Sequence, residues 1–143
     1  VIKNQEQYEN TRRWIARFEE ALSNLPVNAQ HAGLPELATR VQADAYRAQI
    51  EELRSQLSEY DRLRSNPNLI LEIPLDHFGR SLIQARIAAN LDEDALAAKL
   101  GWPVARVLEL EHREYEQATL AELQAVAQAV GLATKIRFDT SAA

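Results

Sequence analysis

Residues Leu82 to Glu111 read LIQARIAANLDEDALAAKLGWPVARVLELE, and the punctuation of this stretch decides the fold. Asp92 is an N-cap, and Glu93 and Asp94 follow it where acidic side chains favour a helix N-terminus. Gly101 supplies the left-handed stop. Pro103 then opens a new helix, since a first-turn residue has no hydrogen bond to lose. Three helices result: about Arg80 to Ala89 (after a turn at Asp76 to Phe78), Asp92 to Gly101, and Pro103 to about Glu111. A fourth begins at the capping box Thr119-Leu120-Ala121-Glu122 and stops at Gly131. Elements this short close only around a shared core, predicted from Leu82, Leu91, Leu96, Leu100, Val107, Leu110, Leu123 and Val126.

Upstream the pattern changes to long helices. From Asn4 to Leu25, Thr11, Ile15, Phe18, Leu22 and Leu25 alternate four- and three-residue steps, the period of a coiled-coil seam. Asn4 caps this helix, Pro26 is read as its stop, and 26–35 as a loop. A second helix runs from Leu34 or Pro35 to about Arg64, with its seam at Tyr46, Ile50, Leu53, Leu57 and Tyr60. Thirty residues of helix make a rod of about 45 Å, which a hairpin partner covers along one narrow stripe only. The expected remedy is a homodimer through this arm, with Ile15, Phe18, Leu22, Tyr46, Ile50, Leu53, Leu57 and Tyr60 at the protein interface. The predicted architecture is therefore all-α: a coiled-coil-like hairpin over residues 1–66 and a compact four-helix domain over residues 67–143. Two short β-strands are predicted to flank the latter, at 69–73 and in the alternating tail at 133–138, pairing with each other or across a dimer.

Composition narrows the function. The 143 residues carry 16 Lys+Arg against 21 Asp+Glu, a net charge of −5, so a generally basic nucleic-acid coat is excluded, while a local basic patch is not. No cysteine is present, and the three histidines, at 31, 77 and 112, are scattered. Disulfides, thiolate metal sites and a cysteine nucleophile are thereby ruled out, and no metal or other cofactor is expected. No Walker, GxGxxG, HExxH or GxSxG motif occurs, and no acid–base pair assembles from Asp76, His77 and Asp92, so no enzyme is predicted. No apolar run approaches a membrane span, and no signal-peptide pattern opens the chain; the expected setting is cytoplasmic.

Leu91, Leu96-Ala97, Leu100-Gly101, Val107, Leu110 and Glu111 match, in order and spacing, the helix-turn-helix of Xre/Cro-type, phage-repressor-like regulators. The opening Ile2-Lys3-Asn4 arm and the later Tyr115 with Thr119-Leu120 resemble a bacterial subgroup with an N-terminal helical extension. The resemblance implies a dimeric repressor that binds a double-stranded DNA operator, in some members an antitoxin with a cognate toxin as partner. It also implies a structural ion pair between Arg86 and Glu111, and a left-handed Asn90 where the family has Gly.

The DNA-reading positions depart from that pattern. The family's phosphate-contacting Gln is Glu93 here, and the polar start of the recognition helix is Pro103, Val104 and Ala105. Leu108 and Glu109 replace polar and basic residues further along. The candidate nucleic-acid-binding residues are Lys99, Val104, Ala105, Arg106, Leu108, His112 and Arg113. Of these, Val104, Ala105 and Leu108 reach thymine methyl groups at most and cannot read a base by hydrogen bonding. From residue 75 onward 7 Lys+Arg stand against 10 Asp+Glu, a balance of −3. Trp102 with Val104, Ala105 and Leu108 forms an expected apolar patch, or Trp102 folds inward. Two functions follow: a dimeric DNA-binding transcriptional regulator, or a helix-turn-helix fold converted to contact a protein such as a toxin.

Overall fold

A computed structural model describes residues 1–66 and 72–141. All regular structure among them is helical: α1 (Gln5–Ala32), α2 (Glu36–Ser65), a 3-10 turn (Leu75–His77), α3 (Phe78–Ala88), α4 (Glu93–Leu100), α5 (Val104–His112) and α6 (Leu120–Ala129). The chain divides into two compact units, Val1–Arg62 and Leu63–Ala143, so the division falls inside α2, with Leu63 already buried.

The first unit is an antiparallel helical hairpin. Asn4 caps α1, its side chain accepting from the Gln7 N–H at 2.9 Å. Tyr8 meets Tyr60 with ring centroids 5.2 Å apart, and its hydroxyl donates to Asp61 at 3.0 Å. Nearer the bend, Phe18 lies 5.9 Å from Tyr46. Ile15, Leu25, Ala29, Ile50 and Tyr60 are buried along this line, and Phe18, Leu22, Tyr46, Leu53 and Leu57 are half-buried. Of the eight residues expected to serve a second copy, Ile15, Ile50 and Tyr60 are thus buried within one chain, and the other five keep part of their surface open.

Pro26 does not end α1, contrary to expectation; the helix continues to Ala32. Proline removes one intrahelical hydrogen bond, a cost of about 3 kcal/mol. Its ring is exposed, while its neighbours Leu25 and Ala29 are buried. The actual stop is Gly33, at φ 64°: its N–H reaches the Gln30 carbonyl, and the Leu34 N–H reaches the Ala29 carbonyl at 3.0 Å. This Schellman closure satisfies the last carbonyls, leaving only residues 33–35 to turn the chain.

In the second unit the predicted helices appear within a residue or two of their expected ends. Asp92 caps α4, and Thr119 with Glu122 forms the capping box of α6. Leu82, Leu96, Val107, Leu110 and Val126 form the core with Ile83, Ala97 and Ala127, whereas Leu91, Leu100 and Leu123 are only half-buried. Helix α4 packs on α5 and α6, and α3 on α6. The tail from 132 to 139 carries no regular structure and is almost wholly exposed, so the predicted strand there does not form. A strand needs a neighbour to receive its backbone hydrogen bonds, and no described segment supplies one. Most of the other predicted strand, residues 69–71, lies outside the described residues.

Candidate nucleic-acid interface

The helix-turn-helix is α4, the bend at Gly101–Pro103, and α5. Asp92 Oδ1 accepts from the Ala95 N–H at 2.7 Å, and Gly101 closes α4 in the left-handed conformation at φ 67°. The Trp102 N–H then turns back to the Ala97 carbonyl at 3.0 Å, and Pro103 sets the first turn of α5. Val107, Leu110 and Glu111 point into the core. That leaves Ala105, Leu108, Glu109 and His112 on the outer side, all exposed, with Arg113 following.

The inner side is held by a buried ionic cluster. Arg86, 1 % exposed, donates through Nε to Glu111 Oε1 at 2.6 Å and through Nη2 to Glu111 Oε2 at 2.8 Å. Its Nη1 reaches the Leu91 carbonyl at 2.8 Å, and Nη2 also meets Glu93 Oε1 at 3.4 Å. Burial opposes the guanidinium charge, but the hydrogen bonds and charge of Glu111 and the charge of Glu93 outweigh it, and the Arg86 pKa stands above its ordinary value. The ion pair implied by the resemblance is present. Glu93 is a correction: it does not occupy a phosphate-facing position but is buried against Arg86, so its carboxylate does not repel an external anion. The signal available was its place in the first turn after Asp92, seven residues beyond Arg86.

Tyr115 completes this layer. Its hydroxyl is buried beside Glu111; burial, and then the Glu111 charge, raise its pKa. Its backbone is left-handed at φ 62°, as is Glu114 at φ 50°. The loop they form crosses so close over α3 that a Cβ on Gly79 would lie 1.7 Å from the Glu114 carbonyl oxygen. Nothing in the local sequence around Gly79 marks this crossing.

The candidate DNA contacts are only partly free. Arg106 is half-buried and committed: Nη2 and Nε reach Glu122 Oε1 at 2.6 and 3.1 Å, and Nη1 reaches Glu109 Oε2 at 2.9 Å. Its pKa is raised by those two carboxylates, chiefly Glu122. Lys99 is exposed, with Nζ 3.4 Å from the Ala129 carbonyl. Arg113 is exposed and makes no ion pair among the described residues. Leu108 is 48 % exposed and Ala105 is exposed, while Val104 and Trp102 are half-buried, so the expected apolar patch contracts to Ala105 and Leu108. Asn90 adopts the left-handed conformation at φ 55°.

Among the described residues no group of His, Asp or Glu is placed to hold a metal ion, and no helix is long and apolar enough to cross a membrane. No protein-family profile, curated protein or solved structure matches this chain significantly.

Proposed function

We propose that this chain is a helix-turn-helix transcriptional regulator that binds duplex DNA through α5 as a homodimer, an antitoxin-type repressor being one form of that role. One observation carries the reading. A short helix after a three-residue bend is clamped from behind by Arg86–Glu111 while its outer side stays uncovered. A groove-entering helix requires both: a rigid mount, and a side free of protein. The resemblance to Xre/Cro-type regulators supports the same reading.

The chemistry of that side sets the mode of binding. Lys99 and Arg113 supply phosphate contacts, and Arg106 joins them only by leaving Glu122 and Glu109. His112 is the polar group placed to reach a base edge, and Ala105 and Leu108 offer methyl contacts to thymine. With two or three phosphate contacts per head and two heads in the dimer, log affinity falls with log salt at a slope of roughly 4 to 5. Fluorescence anisotropy on DNA from upstream of the gene tests this. Binding that weakens with salt at that slope supports the reading, and no binding at low salt overturns it.

A second reading rests on the capture of Arg106 and the exposure of Leu108: the same side docks a protein, such as a toxin. Under it, Leu108→Asp releases the partner in a pull-down and leaves helical content unchanged. Under the DNA reading, that substitution weakens DNA binding instead, by placing a carboxylate toward the phosphates.

A further inference from the structure

From residue 75 onward the chain holds seven Lys and Arg side chains. Ion pairs occupy three of them: Arg80 with Glu114 at 3.2 Å, Arg86 with Glu111 and Glu93, and Arg106 with Glu122 and Glu109. Lys99, Arg113, Lys135 and Arg137 make no ion pair among the described residues. Two of these four stand on the tail after α6, which is exposed from Ala133 to Ser141. The tail has one carboxylate, Asp139, which accepts from the N–H and the hydroxyl of Ser141. Two cations against one anion leave the tail positive, while the remainder from residue 75 onward has five cations against nine anions. The positive charge that this half of the chain can offer an external anion is thus concentrated on the segment that forms no element.

The tail also starts in the right place. The Leu132 N–H reaches the Ala127 carbonyl at 2.8 Å and closes α6, with Gly131 between them left-handed at φ 77°. Lys99 Nζ lies 3.4 Å from the Ala129 carbonyl, so the tail leaves the head beside Lys99, two residues before the Gly101 bend that leads into α5. Fully extended, the chain from Leu132 to Arg137 spans about 17 Å, more than the roughly 12 Å width of a major groove. Extension also sets Lys135 and Arg137 on one side and Ile136 and Phe138, 69 % and 87 % exposed, on the other. Arms that follow DNA away from a helix-turn-helix use such residues, cations for phosphates and apolar side chains against the minor groove. A strand pair made from two segments this short is marginal in water, which argues against a second tail as the partner.

We propose that the tail from Ala133 to Phe138 is a DNA-binding arm whose Lys135 and Arg137 contact backbone phosphates beyond those reached by the head. The inference rests on the proposed DNA reading and adds to it two contacts per head that lie outside the helix-turn-helix.

The experiment is fluorescence anisotropy on a duplex from upstream of the gene, titrated at several salt concentrations. The head's own contacts give a slope of roughly 4 to 5, and two more per head raise the expected slope of the full chain to roughly 7 to 9. Lys135→Ala with Arg137→Ala is expected to return the slope to the lower range, with helical circular dichroism unchanged because both side chains are exposed. Lys135→Arg with Arg137→Lys keeps the charge and is expected to keep the steep slope. A full chain that binds with a slope of 4 to 5, unchanged in the double alanine variant, supports the DNA reading and overturns the arm. No binding of the full chain at low salt overturns both. A mass lowered by Ile136→Asp with Phe138→Asp in light scattering, with the double alanine variant binding DNA as the full chain does, assigns the tail to a protein contact and overturns the arm.

Discussion

Arg86 and Glu111 lie 25 residues apart in the chain and meet through two parallel hydrogen bonds of 2.6 and 2.8 Å, both side chains nearly inaccessible to water. The contact joins α3 to α5, so it fixes the helix whose outer side is the candidate interface. Such a fork of bonds also resists rotation of α5, which a single point charge would not.

Removing one partner leaves the other charged, buried and under-bonded. Glu111→Ala is expected to lower unfolding stability by about 3 to 5 kcal/mol, read from urea denaturation. Replacing all three members of the cluster together, Arg86→Met with Glu111→Leu and Glu93→Gln, is expected to recover most of that loss, because Arg86→Met with Glu111→Leu alone leaves the Glu93 carboxylate buried without its cation. A triple variant as unstable as the single one would show that the cluster contributes more than an uncharged replacement.

Gly79 is the point where the Glu114–Tyr115 loop crosses α3. An added methyl at 1.7 Å from the Glu114 carbonyl oxygen forces the loop or the helix to move. Gly79→Ala is expected to destabilise by about 1 to 3 kcal/mol despite the better helix propensity of alanine. A thermal midpoint unchanged or raised would contradict the close approach.

The α6 N-terminus carries a pH dependence of definite sign. The Glu122 carboxylate accepts from the Thr119 N–H at 2.8 Å and from Arg106, and its pKa is held below its ordinary value of 4.5, first by that backbone bond and then by Arg106. A depressed carboxyl pKa contributes stability that is fully present above the unfolded value and lost as pH falls through the folded one. Thermal midpoints are thus expected to hold steady above about pH 5 and to drop below it, with Glu122→Gln flattening the drop. Thr119→Ala removes the other half of the capping box and is expected to cost about 1 kcal/mol at neutral pH.

The commitment of Arg106 predicts the direction of charge variants at the interface. Glu109 is exposed on the outer side of α5 and occupies one of the guanidinium nitrogens. Glu109→Lys removes a carboxylate facing phosphate and adds a cation. Under the DNA reading it is expected to tighten binding and steepen the salt slope by about 1 per head, about 2 for the dimer, in an anisotropy titration at several salt concentrations. Unchanged affinity and slope would place α5 away from the duplex.

What could be read from one dimension is what depends on neighbours in the chain. Asp92, Gly101, Thr119 and Glu122 act on backbone groups within a few residues, so the starts and stops of α4 and α6 were legible, as was the apolar period of the hairpin. What required three dimensions involves distant groups competing for the same side chain. Pro26 stays inside a helix because Leu25 and Ala29 are buried beside it and Gly33 closes the end. Glu93 turns inward because Arg86 is there to receive it, and Arg106 is withdrawn from the candidate interface because α6 brings Glu122 within 2.6 Å. Gly79 matters only where another segment crosses it. Local hydrogen bonding and periodicity are short-range and leave their marks in order along the chain, whereas burial and ion pairing are settled only when the folded chain decides which charges meet.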